Sequence, residues 1–317
     1  MISIAQTTAK LWIVALALLA FVAPVSAASV VFLANPPAGN DNNPCSFASP
    51  CQTLGGSLGK LDSNGQVTCA QGTAFGSAGF PVQSVIIDCP GLFVPNQTAF
   101  EGFLGEFIAD GIVIKIRHLT VNGQFAGTGA GGVLITGGSG GTLVLEDCVF
   151  ENFSGTAIQI AANGPYTLIL KNTRISNNGA GVVIKPASGG SVTATFDGVT
   201  IDGNTGGGLK TDTTNGPVRV DISNSTISNN SGNGLNAVSG AGGANMLNLK
   251  NDVIAGNGTA GVQANGPNAA ALIDMTLLDS NASGALTTIN GGRLLTYGNN
   301  HIVGSAGSGF TGTAPSQ

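Results

Sequence analysis

Residues 168–181 read LILKNTRISNNGAG, and residues 220–234 read VDISNSTISNNSGNG. In both stretches, alternating apolar residues are followed by an Asn, an Ile, an Asn pair and a Gly, and the two stretches begin 52 residues apart. Self-similarity at a fixed spacing is typical of repeat proteins, in which each unit packs against the unit before it. This stretch therefore predicts a repeat fold.

Two apolar positions follow the repeat through most of the chain. The first recurs at intervals of 25, 26, 26, 27, 24 and 24 residues, at Phe150, Ile175, Ile201, Ile227, Ile254, Leu278 and Ile302. The second recurs at similar intervals, at Val133, Ile158, Val182, Leu209, Leu235, Val262 and Leu286. The intervals in the two series stay close to each other along the chain, so the two positions belong to one repeating unit.

Each unit contains short stretches in which apolar and other residues alternate, such as the one ending at Phe196. A period of two residues predicts strands. Gly, Asn and Pro separate these stretches, as in Asn163-Gly164-Pro165, and suit tight corners. A unit of this length with several short strands favours a parallel β-helix with right-handed crossovers. The predicted fold class is all-β, a single-stranded right-handed parallel β-helix (a solenoid) with a short N-terminal capping helix.

Stacked units place equivalent residues about 4.8 Å apart in columns along the solenoid. At one corner, we expect a partial ladder of Asn side chains, interrupted by Gly198 and Met275, that consists of Asn172, Asn224, Asn251 and Asn299. The residue before this corner changes charge along the column Arg117, Glu146, Lys171, Asp197, Ser223, Lys250 and Asp274. In another column, Lys185 falls beside Asp212. Opposite charges on neighbouring strands favour the correct register.

The first 27 residues resemble a secretory signal. Lys10 precedes an apolar run over 11–23, and small residues follow up to Ala27. The run is shorter than the ~20 residues that span a bilayer as a helix. We therefore predict a signal peptide over 1–27, no membrane span after its removal, and a secreted, periplasmic or cell-surface protein.

The rest of the chain divides into three predicted regions. An N-terminal segment and cap covers 28–83, the β-helix repeats cover 84–304, and a flexible C-terminal tail covers 305–317. In the cap, Ser49-Pro50-Cys51-Gln52 fits a capping box that begins a short amphipathic helix. The segment 69–105 is irregular and receives no role. The Gly/Ser-rich C-terminal end contains few residues that could cover the last strands. Exposed strand edges at this end could pair with another copy of the chain, so self-association is possible.

Export makes the five cysteines interpretable, because disulfides persist in oxidising compartments. Cys45 and Cys51 bracket a short loop and form the first candidate pair, and Cys69 and Cys89 form the second. Cys148 lies within the repeats and is expected as a buried thiol. No Cys or His spacing matches a metal site, so no metal ligand is predicted.

The stretch Gly39-Asn40-Asp41-Asn42-Asn43-Pro44, followed by Ser49-Pro50-Cys51-Gln52-Thr53-Leu54, resembles the opening segment of secreted bacterial right-handed parallel β-helix proteins. With the regular rungs, the resemblance covers roughly residues 30–304 and implies the pectin-lyase-like superfamily fold. Members of this superfamily include polysaccharide lyases, glycoside hydrolases, esterases, epimerases, adhesins and proteins with no known activity. The fold alone therefore does not give the function.

The sequence lacks the catalytic motifs of this superfamily's hydrolases, so we assign no catalytic residue. A net charge of -5 gives no reason to expect nucleic acid. Our hypothesis is a non-catalytic, structural or weakly polysaccharide-binding protein, with Lys171, Arg174, Lys210 and Arg219 as candidate glycan contacts. The alternative is a polysaccharide lyase or related enzyme acting on acidic glycans. No cofactor is expected, and Ca²⁺ enters only under that alternative.

Overall fold

A computed structural model describes residues 29–70, 74–75, 82–93, 111–124, 131–240 and 243–314. The predicted signal peptide lies outside the described residues, as does most of the irregular segment between Cys69 and Gly105. The described chain forms a parallel β-helix, as the repeat predicts.

Each regular rung runs through three faces. The long-strand face consists of strands of mostly five to seven residues in the central rungs, and the short-strand face consists of three-residue strands. A second sheet of seven strands forms the third face.

The long-strand face contains the strands Val30–Leu33, Gly65–Cys69, Val85–Phe93, Ile112–Asn122, Gly141–Glu146, Pro165–Lys171, Ser191–Asp197, Val218–Ser223, Asn245–Lys250, Ala269–Asp274, Arg293–Thr296 and Gly312–Thr313. Val85–Phe93 and Ile112–Asn122 continue onto the short-strand face. That face otherwise contains Ala74–Phe75, Val149–Glu151, Arg174–Ser176, Thr200–Asp202, Thr226–Ser228, Val253–Ala255, Leu277–Asp279 and His301–Val303. The second sheet contains Val133–Gly137, Thr156–Ala162, Ala180–Ile184, Leu209–Asp212, Leu235–Val238, Val262–Asn265 and Leu286–Ile289.

Equivalent residues pair directly between rungs. Leu168, for example, pairs with Leu143 on one side and with Ala194 on the other. All three side chains are buried, because alternate residues of each strand point into the solenoid. The apolar markers of the sequence repeat therefore form the core.

Two corners in each rung adopt the left-handed backbone conformation. At the first corner, between the long and short strands, φ is +45° at Asn172, +65° at Gly198 and +53° at Asn224. At the second corner, after the short strand, φ is +58° at Asn177 and +54° at Asn229. Asn and Gly tolerate this conformation better than other residues. The recurring Asn and Gly therefore fix where each rung turns.

The predicted corner ladder is only partly an Asn-to-Asn ladder. Asn251 Nδ2 donates to Asn224 Oδ1 at 2.9 Å. Asn224 Nδ2 donates instead to Asp197 Oδ1, at 2.8 Å, and Asn299 Nδ2 donates to Asp274 Oδ1 at 2.6 Å. Asn224 and Asn251 are exposed and have a positive φ, so this backbone conformation is the main reason for Asn at these positions. The prediction was wrong for Asn299, because the positive φ of that rung, +91°, is at Gly298, and Asn299 lies one residue past the corner column.

A second asparagine column, which the sequence analysis did not single out, is buried. It consists of Asn178, Asn204, Asn230, Asn257 and Asn281. Asn204 Oδ1 accepts from the Asn178 backbone N–H and from its Nδ2, both at 3.0 Å. Asn204 Nδ2 in turn donates to Asn230 Oδ1 at 2.8 Å and to the Ile175 carbonyl at 3.3 Å. The same pattern continues to Asn281, so each amide satisfies buried backbone groups in neighbouring rungs.

The predicted N-terminal helix is present, but it begins later than the capping box implies. It spans Leu54–Leu58, and its N-cap is Thr53, whose side chain accepts from the Gly56 N–H at 3.0 Å. Ser49 lies outside the helix, and Cys51 pairs with Leu33 instead. The helix begins at Thr53 because Asp41 accepts from the Gln52 and Thr53 amides, at 2.9 and 2.8 Å, and holds them before the first turn.

Both predicted disulfides are present and lie at the N-terminal end. Cys45 is bonded to Cys51, and Cys69 is bonded to Cys89. Cys148 is a buried free thiol within the repeats, as expected. Burial raises the pKa of this thiol to about 11, so it remains protonated at neutral pH.

The C-terminal end carries a partial last rung. In the segment assigned to the tail, Gly312–Thr313 pairs with the strand Arg293–Thr296, and Gly307 pairs with Leu286. Phe310 packs against the core. Residues up to Ala314 therefore extend the solenoid by covering the last strands of two faces.

We expect the Asn204→Ala variant to lose about 3 kcal/mol or more of unfolding free energy, because it leaves several buried backbone groups without partners. Asn224→Gly removes an exposed Asn but keeps a residue that tolerates positive φ, so its loss should stay below about 1 kcal/mol. Guanidinium unfolding followed by circular dichroism measures both. Equal losses in the two variants would contradict the stabilising role of the buried column.

Candidate functional site

The outward residues of the long strands form regular columns across the long-strand face. The predicted charge column has the expected register, from Arg117 through Glu146, Lys171, Asp197, Ser223 and Lys250 to Asp274. Asp88 precedes Arg117 in the same column. The pairing of the strands therefore sets the order of charges along this face.

At the N-terminal half of the column, the charges form close ion pairs. Glu146 Oε2 lies 2.7 Å from Lys115 Nζ and 3.0 Å from Arg117 Nε. The hydrogen bond from Lys115, with the charges of both cations, holds the pKa of Glu146 below its usual value despite partial burial. His118 lies in the neighbouring corner column, and its Nδ1 is 2.8 Å from Oδ1 of Asp88. These contacts pair most of the charge in this half.

The C-terminal half of the long-strand face contains an open groove of about 390 Å³. Its lining includes Asp221, Asn248, Lys250, Leu272, Asp274 and Tyr297. Tyr297 follows Asp274 in the charge column, because the preceding residues, Thr296 and Ile273, are paired. The Tyr297 side chain is 45% exposed and gives the groove an aromatic surface.

Ion pairs and hydrogen bonds fix the positions of the polar side chains in the groove. Arg219 binds Asp221 through two contacts, Nε to Oδ2 at 3.1 Å and Nη2 to Oδ1 at 2.9 Å. Asn248 Nδ2 donates to Asp221 Oδ1 at 2.6 Å. Asp274 accepts from Asn299, as described above. The groove therefore presents fixed carboxylates and amides beside an exposed aromatic ring.

The structure does not bring the four predicted glycan contacts together. Lys171 and Arg174 are exposed on either side of the first corner in one rung. Arg219 lies on the long-strand face, bound to Asp221. Lys210 belongs to the second sheet. The four cations were chosen for charge alone, and charge does not specify which face a residue occupies.

Sequence reasoning missed the groove as a site. It placed Lys250 and Asp274 in the charge column but gave no role to Tyr297. The sequence column does not reach Tyr297, because the residue before the predicted corner Asn299 is Gly298. Only the pairing of Ile273 with Thr296 places Tyr297 beside Asp274. The groove itself depends on side-chain sizes across several rungs, which the repeat does not encode.

Among the residues that the structure describes, no His, Cys, Asp and Glu side chains form a group of three or more that could hold a metal ion. The same part of the chain contains no helix with the length and apolar character needed to cross a membrane.

Comparison with known proteins agrees with this fold. Residues 107–277, a little over half of the chain, match the family model described as "Right handed beta helix region". The chain therefore belongs to the right-handed β-helix family. Its structure is also similar to the crystal structure of pectate lyase Pel9A, with 15% identity, a TM-score of 0.50, and coverage of 92% of this chain and 80% of that one. At this identity the likeness supports the shared fold alone. Comparison with curated protein sequences gives no match.

A buried carboxylate lies directly after the charge column. Asp252 is 2% exposed and accepts from the Ser225 and Lys250 backbone amides at 2.8 and 2.9 Å. Burial raises the pKa of Asp252 to about 6, and the two hydrogen bonds offset this only in part. Because the folded-state pKa is above the unfolded value, the associated stability is present at low pH and is lost as pH rises through about 6.

We expect Asp252→Asn to remove this pH dependence. Between about pH 4 and 7, wild-type unfolding free energy should fall relative to that of the variant by up to about 3 kcal/mol, since one pKa unit corresponds to 1.36 kcal/mol. Chemical denaturation at pH 4, 5, 6 and 7 measures the difference. If the two proteins keep a constant stability difference across this range, the assignment to Asp252 is wrong.

Proposed function

We propose that this protein binds an extended polysaccharide along its long-strand face, with the groove at Tyr297 as the principal contact, and that it does so without cleaving the chain. The observation that carries the proposal is the combination of Tyr297 with the fixed polar groups of Asp221, Asn248 and Asp274 in one open groove. An open groove on the flat face of a solenoid can accept a long polymer at any point along its length.

The chemistry of the groove suits a sugar. A pyranose ring has apolar faces that pack on an aromatic ring, here Tyr297, with Leu272 nearby. Its hydroxyl groups need both donors and acceptors at fixed positions. Asp221 and Asp274 supply acceptors, and Asn248 and Lys250 supply donors. Because Arg219 and Asn248 already fix Asp221, a bound sugar meets groups that lose little freedom on binding.

The spacing of the groove carboxylates favours binding over hydrolysis. Asp221 and Asp274 belong to rungs that are two apart, since Asp221 pairs with Asn248 and Asn248 with Leu272. Strands that are two rungs apart are separated by about 10 Å. Glycosidases that use two carboxylates place them about 5–5.5 Å or 6.5–9.5 Å apart. Asp221 is also engaged by Arg219, which suits a structural role better than proton transfer.

The alternative function is a polysaccharide lyase acting on an acidic glycan. A calcium-dependent lyase would need six to eight oxygen ligands around the ion, and the described residues offer no such group for us to assign. We also propose that the protein works outside the cytoplasm, because its two disulfides are typical of oxidising compartments.

Two measurements on the same mixtures, glycan binding and product formation, separate the two functions. Purified protein is tested by affinity electrophoresis in gels containing pectate, alginate or a neutral glycan, and the same mixtures are followed for unsaturated uronides and new reducing ends, with calcium or with chelator. Retardation without product supports the proposal. Product formation establishes the enzymatic alternative.

We expect Tyr297→Ala to lower the affinity of the protein for the glycan in the gel about tenfold. Loss of a ring contact of about 1–1.5 kcal/mol corresponds to that factor. Tyr297→Phe should bind nearly as wild type, since it keeps the ring. Phe47→Ala is the matched control, because Phe47 is an exposed aromatic in the N-terminal segment, away from the groove. If Tyr297→Ala binds the glycan as tightly as wild type, the groove is not the principal glycan contact.

A further inference from the structure

A second cavity, of about 320 Å³, lies at the edge of the second sheet. It forms where two successive rungs turn from the short-strand face into the second sheet. The turns there contain Gly206, Gly207 and Gly232, so no side chains fill the space. Val183 and Lys210, neighbours in register on the second sheet, form one wall.

Packing explains only part of this construction. A Cβ at Gly206 would lie 2.6 Å from the Gly179 carbonyl oxygen, and one at Gly207 would lie 3.0 Å from that of Asn233. The close stacking of rungs therefore requires small residues at these turns. It does not require a lysine over them.

The electrostatics of this cavity differ from those of the long-strand groove. Lys210 is the one charged residue in its lining. Its neighbours in register, Val183 and Asn236, are uncharged. Lys185, in contrast, lies 3.3 Å from Asp212, and hydrogen bonds from Thr214 and Lys185 hold the pKa of Asp212 low although burial raises it. Within the described residues, Lys210 has no such ion pair. The cavity is therefore positively charged.

Hydrogen-bonding groups without partners surround the same space. Asn236 lines the cavity, and its Oδ1 is buried and lacks a hydrogen-bond donor within the described part of the chain. The backbone amides of Gly206 and Gly207 also donate no hydrogen bond to any described residue. A buried polar atom without a partner is uncommon and calls for a ligand or water.

We propose that this cavity binds one acidic sugar residue, a hexuronate, by its carboxylate. The carboxylate pairs with Lys210 and accepts from the Gly206 and Gly207 amides, while a ring hydroxyl donates to Asn236 Oδ1. Charge-assisted hydrogen bonds of this kind are stronger than neutral ones. A simple inorganic anion uses the cation and the amides but carries no hydroxyl for Asn236. The site is separate from the Tyr297 groove, so neither depends on the other.

The test uses ¹⁵N-labelled mature protein titrated with trigalacturonate, its methyl ester, or inorganic phosphate, with the Gly206 and Gly207 amides as reporters. The expected result is a saturable shift of both amides with trigalacturonate, and binding at least fivefold weaker with the ester and with phosphate. Lys210→Met should weaken trigalacturonate binding about tenfold. Lys185→Met, which alters a lysine of the same sheet that is already paired with Asp212, is the matched control and should bind as wild type.

The outcomes for the two sites are distinguishable. Tyr297→Ala should leave the Gly206 and Gly207 shifts unchanged. Lys210→Met should leave retention in the neutral-glycan gel unchanged, because a neutral glycan has no carboxylate for Lys210. The proposal is overturned if the amides do not shift, if ester or phosphate binds as tightly as trigalacturonate, or if Lys210→Met binds as wild type. An unchanged amide spectrum away from residue 210 shows that the variant is folded.

Discussion

The register between rungs is the constraint on which the rest of this molecule depends. Along the inside of one corner, each buried amide Nδ2 donates to a backbone carbonyl of the rung before, and all but the last also donate to the Asn Oδ1 of the next rung; the column is Asn178, Asn204, Asn230, Asn257 and Asn281. A slip by one residue would leave these buried amides and backbone groups unpaired in every rung at once. Since an unpaired buried polar group costs about 1–3 kcal/mol, the column holds one register against all others.

Because the register is fixed, the surface is fixed as well. The alternation of charge from Arg117 to Asp274 follows from which residue of each strand faces outward. Arg117 and Glu146, which are adjacent in this column and opposite in charge, pair with each other and contribute to the choice of register. Where the column ends in Tyr297, the same geometry gives an exposed ring beside the carboxylate of Asp274.

The two concave regions differ in charge for the same structural reason. On the long-strand face, neighbouring rungs supply Asp221, Lys250 and Asp274, so the groove contains both signs. On the second sheet, the rungs on either side of Lys210 supply only Val183 and Asn236. One rigid solenoid can therefore present a groove of mixed charge and a separate cationic cavity without any change of fold.

The sequence by itself determined the repeat, the parallel β-helix, the charge column and both cysteine pairs, because each is a matter of spacing along the chain. It placed the N-terminal helix in the right region but began it at Ser49, since the Asp41 contacts that set its start at Thr53 come from residues distant in sequence. It identified the exposed Asn column and overlooked the buried one, because adjacent Asn residues such as Asn177 and Asn178 look alike until one is known to point inward. Only the tertiary structure separated Lys210 from Lys171, Arg174 and Arg219, and only it brought Tyr297 beside Asp274. Burial and shape arise from side chains of several rungs together, and no single repeat contains that information.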